Sequence, residues 1–135
     1  MRSIFIVMAA AASLMSTGGV LAVDMPPLAK KHNCGACHAI EKKLVGPGWR
    51  DVSKAYNANG TTGIGVSPAY KIGNKVSDIL AKNNAKSAEE WLLHKVSRGG
   101  SGNWGTMPMP ANDPGGSKEG DFKELIKFIL SLEKK

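Results

Sequence analysis

Cys34-Gly35-Ala36-Cys37-His38 constrains this chain more than any other stretch. Its two cysteines are the only ones among 135 residues; they stand three apart, and a histidine directly follows the second. This is the spacing at which two thiols add to the two vinyl groups of a haem while the adjacent imidazole reaches the iron. A chain built this way folds around a flat apolar plate fixed near its beginning. Such a plate eases the core shortage of a small domain that is rich in glycine and poor in aromatics. Two other uses of the cysteines fit less well. A redox-active disulfide wants a strand before it and a βαβ pattern around it, and zinc wants a second ligand pair.

The first 22 residues read as a secretory leader. Arg2 gives the positive start, Ile4 to Ala12 the apolar stretch, and Val20-Leu21-Ala22 a cleavage site. Serines, a threonine and glycines break the stretch, which disfavours an uncleaved anchor. Removing 22 of 135 residues leaves 113, one domain, and losing Arg2 takes the formal charge from +7 to +6. No later segment is long and apolar enough to span a bilayer, so no stable membrane insertion is expected after cleavage. Basic residues occur without interleaved aromatics, so nucleic acid is not an expected partner.

The pattern predicts an all-α chain with long loops. Asp24 followed by Pro26-Pro27 predicts a helix start that runs through residues 28–33 into the haem motif. Residues 39–48 are a loop, and 49–56 a short helix. Residues 57–72 are rich in Gly, Asn and Thr and predict a loop. Asn74 is a candidate cap for a helix with Val76, Ile79 and Leu80 on one face. Ser87-Ala88-Glu89-Glu90 is a capping box that predicts a helix from 88 to about 98. Asp121-Phe122-Lys123-Glu124 is a second, opening a helix with Phe122, Leu125, Ile126, Ile129 and Leu132 at helical spacing.

Residues 99–116 hold six glycines and three prolines. So long a loop is unusual in a compact domain unless it has a task. An electron-transfer haem needs a second axial ligand opposite His38, commonly Met or His. Beyond the leader, the methionines are Met25, Met107 and Met109, and the last two lie in this loop. Pro108 and Pro110 stiffen the backbone on both sides of Met109, which favours it as the ligand, and Asn112 offers an amide to its sulfur. Met107 has the alternative of packing at the haem edge. His32 stands too near Cys34, and His94 sits in a helix among charges. An open sixth position is the remaining alternative.

The residues that carry these readings resemble the short class I cytochromes c of bacteria. The matching stretches are LAKKHNCGACHAI at 28–40, LVGPGWRDV at 44–52, GGSGNWGTMPMPAN at 99–112 and LIKFILS at 125–131. The motif's place near the N-terminus sets the chain apart from four-helix-bundle cytochromes, which carry it near the C-terminus. The resemblance implies a cytochrome c fold, with helices and long loops wrapped around one haem c held through Cys34 and Cys37. It implies His38 and Met109 as axial ligands, with the Pro47 carbonyl accepting from His38 Nδ1. It implies Trp104 and Lys95 as partners of haem propionates, Asn112 on the Met109 sulfur, and Phe128 packing the last helix across the first. Two features depart from the family. Ala29 stands where an aromatic partner for Phe128 is usual, and residues 57–86 look inserted, with Lys71, Lys75, Lys82 and Lys86 against Asp78.

The function these readings imply is periplasmic electron transfer by a low-spin c-type haem, a carrier and not an enzyme. The expected partners are periplasmic or membrane-bound redox proteins with acidic docking patches, steered by Lys42, Lys43 and Lys95, and the expected state is a monomer or weak dimer. The alternatives are a haem subunit permanently docked to a larger oxidoreductase, and an open-site haem protein that binds gas or peroxide.

Overall fold

The computed structural model describes residues 22–57 and 76–133. Most of the expected leader, residues 58–75 of the expected insertion, and the Asn74 cap lie outside the described residues. The described residues form five α-helices: α1 (Pro27–Lys31), α2 (Trp49–Asn57), α3 (Val76–Lys82), α4 (Ala88–Arg98) and α5 (Glu119–Ser131). A single 3-10 turn, Cys34–Ala36, follows α1. Among the described residues the only β-type pairing is an isolated bridge between Gly100 and Met109.

Helix α1 is shorter than expected. Pro26 stands at its N-terminal boundary with no side-chain cap, so Asp24 does not cap it. The helix ends at His32 because Asn33 turns left-handed, at φ 55°. Asparagine tolerates that conformation better than most residues. The chain therefore enters the haem motif through a reversal and not along a continuous helix.

The capping box at Ser87 forms as expected, with one change of partner. The Ser87 hydroxyl accepts from the Glu90 N–H at 3.1 Å. The Glu90 carboxylate accepts from the Lys86 N–H at 2.8 Å, one residue before the cap. Helix α5 corrects the second capping box. It starts at Glu119, and Asp113 prepares its first turn: the carboxylate, on a residue only 3% exposed, accepts from the Lys118 N–H at 2.9 Å. Asp121 sits inside the helix and works at longer range. Its carboxylate accepts from Lys31 Nζ at 2.7 Å and lies 2.8 Å from His32 Nε2, which ties α5 to the end of α1.

These contacts hold the Asp121 carboxyl below the usual carboxylate range, the hydrogen bond from Lys31 first and that from His32 second. A depressed carboxyl stabilises the fold fully above its unfolded pKa and loses that contribution as pH falls through its folded pKa. Asp121→Asn is therefore expected to lower the melting temperature by a few degrees at about pH 7 and to change it little at about pH 2, as read in thermal melts.

Helix α5 is the spine, packing on α4, α2 and α1. Its apolar stripe of Phe122, Leu125, Ile126 and Ile129 is buried against Trp91 and Leu92 of α4 and Trp49, Val52, Ala55 and Tyr56 of α2. Each fully buried large side chain contributes about 1.5–3 kcal/mol. Phe128 meets Trp49 of α2 edge-on, with ring centroids 6.3 Å apart. Phe122 reaches the N-terminal segment, its ring 4.7 Å from that of His32. Val76 and Ile79 of α3 are buried in the same core, so this part of the expected insertion is built into the domain. At the far end, Arg50 clamps Glu41 with two bonds and holds the Leu132 carbonyl and Glu133, each at 3.0 Å.

Candidate haem site

The haem motif is shaped by hydrogen bonds local in sequence. The Cys34 carbonyl accepts from the N–H groups of Cys37 and His38 at 3.1 and 3.0 Å. This winds the turn so that both thiols and the imidazole border one cleft. Both cysteines are free and half-buried. Burial is the main cause that pushes the Cys34 thiol up, against a lowering backbone hydrogen bond. His38 Nδ1 lies 2.8 Å from the Pro47 carbonyl oxygen. An Nδ1–H donating to that carbonyl leaves Nε2 as the ring's ligand nitrogen. Burial depresses the His38 pKa, with the Pro47 bond opposing it, so the ring is neutral and competent to bind metal.

Two glycines set the close approaches around these groups. A Cβ on Gly46 would stand 2.5 Å from His38 Cε1 and 2.9 Å from both ring nitrogens. The imidazole therefore rests on bare backbone. At the end of α4, Gly99 leaves the helix at φ 72° and ψ −148°, a region essentially reserved for glycine. A Cβ there would collide with the Met109 carbonyl oxygen. Gly100 and Met109 exchange backbone hydrogen bonds at 2.9 and 3.0 Å, which seats the methionine loop against the end of α4.

These groups border a cleft that is partly open to solvent. Its floor is apolar, from Val52, Leu92, Phe122, Leu125, Ile126 and Ile129. Lys95, Trp104, Met107 and Met109 line the same cleft as the motif. The donor set, the apolar floor and the bare-backbone seat for His38 fit a covalently attached haem. Pro47 stands where the sequence placed it. Lys95 is half-buried, and that burial lowers its pKa.

Two of the expected contacts differ. Asn112 was assigned to the Met109 sulfur; its Nδ2 donates to the carbonyls of Val96 and Pro110, at 3.3 and 2.9 Å. It thus braces the backbone that carries the methionine. Trp104 was assigned to a haem propionate; in this structure it hydrogen-bonds the Tyr56 hydroxyl. Tyr56 also accepts from Trp91 Nε1 at 2.9 Å, and its burial pushes the phenol up to about 12. Sequence reasoning missed Tyr56 because neither partner is near it in sequence; an aromatic hydroxyl at the end of a core helix was the one available signal. His94 is exposed and stacks on Trp91. His32 bonds Asp121, away from the cleft lining.

Known proteins resemble this chain. The family profile "Cytochrome c" matches residues 26–133. Cytochrome c-552 of Nitrosomonas europaea is 32% identical over 123 residues, covering 91% of each chain. Cytochrome c-552 of Hydrogenobacter thermophilus is 32% identical over 106 residues, covering 78% of this chain and 79% of that one. Cytochrome c-551 of Stutzerimonas stutzeri is 33% identical over 133 residues, covering 98% of this chain and all of that one. The crystal structure of wild-type Nitrosomonas europaea cytochrome c552 superposes with a TM-score of 0.52 at 32% identity, over 78% of this chain and 96% of that one. A cleft built for one covalent haem, an all-helical frame among the described residues and these matches lead to one assignment: the chain belongs to the cytochrome c family.

Proposed function

We propose that this protein carries single electrons between redox partners, with His38 and Met109 as the two axial ligands of its haem. When bound, the haem supplies an iron that cycles between Fe(II) and Fe(III). The chain's residues keep that change small in structural cost. The Pro47 carbonyl fixes the His38 ring, and Gly46 lets the ring lie flush on the backbone. The Gly100 bridge, the two flanking prolines and Asn112 brace the Met109 loop, so the ligand is held before the electron arrives. A thioether opposite a neutral imidazole favours Fe(II) and a high potential.

The observation that carries the reading is the convergence of both thiols, the neutral imidazole and the braced thioether loop on one apolar cleft. The rim adds a docking surface. Val45 and Met107, which both line the cleft, are 50% and 63% exposed, and Lys42, Lys43 and Leu44, just before Val45 in sequence, are exposed too. An apolar centre with basic residues at its edge suits a redox protein with an acidic rim around its own electron port. We further read residues 1–22 as an export leader cut after Ala22, which places the carrier in the periplasm. No helix among the described residues is long and apolar enough to cross a membrane.

The holoprotein tests the reading. Its optical titration is expected to be reversible and to follow a one-electron Nernst curve. The oxidised form is expected to show a red methionine-to-iron charge-transfer band without high-spin features. Rapid binding of carbon monoxide or cyanide would favour the open-site alternative, and comigration with a large enzyme in native extracts the docked-subunit one.

A further inference from the structure

The two methionines of the 99–116 loop have unequal surroundings. Met109 is half-buried and tied by its backbone to Gly100. Met107, two residues earlier, is 63% exposed, the most exposed large apolar side chain of the described residues. It lines the same cleft as the exposed Val45, beside Pro108. Met25, the third methionine among the described residues, is half-buried and packs on the core. Access governs the oxidation of thioethers, and among the described residues Met107 holds the most exposed methionine side chain.

We propose that Met107 is an oxidation site, converted by peroxide to the sulfoxide before any other methionine of the described residues. A sulfur lone pair attacks one peroxide oxygen, the O–O bond breaks, an S–O bond forms and water leaves. Sulfur gives up two electrons and the peroxide takes them. A dithiol-dependent reductase reverses the step, forming a disulfide and water. The product puts a strongly polar S=O on the exposed rim of the cleft, which Val45 and Pro108 also line. Burying that rim against a partner then costs the desolvation of the new oxygen. Oxidation therefore slows electron exchange without touching the axial ligands. That consequence rests on the docking role of the rim; the site of modification does not.

The mature holoprotein treated with graded hydrogen peroxide, followed by peptide mass mapping, tests the site. The first oxygen is expected on Met107, and Met107→Leu is expected to gain none at the dose that half-modifies the wild type. The red charge-transfer band is expected to persist in the singly oxidised protein. Electron self-exchange between reduced and oxidised copies, measured by NMR line broadening, is expected to fall roughly fivefold in that form and in Met107→Gln. A first oxygen on Met25 or Met109, or self-exchange unchanged in both altered forms, overturns the proposal. Failure of the electron-carrier reading would show instead in the unmodified protein, as a missing charge-transfer band or a non-Nernstian titration.

Discussion

Met109→Ala is expected to abolish the red charge-transfer band, produce high-spin features, and open the iron to rapid carbon monoxide binding. The Soret absorbance should persist, because attachment depends on Cys34 and Cys37 and not on the distal ligand. The potential is expected to fall by on the order of 0.1–0.3 V, part of the roughly 0.8 V range that axial ligands span. Met107→Ala should keep the band. The physical basis is the unequal bracing of the two sulfurs. The Met109 backbone is hydrogen-bonded to Gly100 on both its N–H and C=O, and the Asn112 amide holds the next turn. Met107 is exposed at the rim. If Met107→Ala loses the band and Met109→Ala keeps it, the ligand assignment is wrong.

Gly99→Ala is expected to destabilise the holoprotein by about 3 kcal/mol, a fall in melting temperature of roughly 10 °C or more. Two penalties combine at this residue. Its φ of 72° and ψ of −148° strain any residue with a side chain. The added methyl also meets the Met109 carbonyl oxygen and comes within 2.8 Å of the Ala111 nitrogen and the Pro110 carbonyl carbon, all of them backbone. Backbone does not swing aside as a flexible side chain would. The relief is to push the methionine loop off the end of α4, so the charge-transfer band should weaken together with the stability. Gly115→Ala is the control: its Cβ meets nothing within 4 Å, and its melting temperature should stay close to wild type. Equal melting curves for the two variants would show that Gly99 does not seat the loop.

Features legible in the sequence were those fixed by residues close together in the chain. Helix α4 runs from Ala88 to Arg98 as expected, because Ser87 and Glu90 settle its start within four residues. The Cys34 to His38 turn and its Pro47 partner are likewise local. The start of α5 was misread because two acidic residues competed for the role of cap. Asp121 had the right spacing, yet its carboxylate is drawn to Lys31 and His32 across the fold. Asp113, buried in the preceding loop, prepares the helix instead. The contacts of Tyr56 with Trp91 and Trp104 exist only once α2, α4 and the methionine loop are packed together. The apolar cleft was implied by the motif, but its floor from α5 was visible only as a helical stripe with no stated partner.

The local closure of the His38 arm has a consequence for how the protein is made. The hydrogen bonds that wind the motif and hold the imidazole lie between His32 and Pro47: the His32, Asn33 and Cys34 carbonyls, the Gly46 N–H that donates to the Cys37 carbonyl, and the Pro47 oxygen. The seat of Met109 needs the end of α4 and a loop far downstream. A chain still mostly unfolded can therefore present its attachment segment to a haem-loading machinery in near-final shape. The second iron face depends on the C-terminal half, so its sealing is expected to follow attachment of the cofactor.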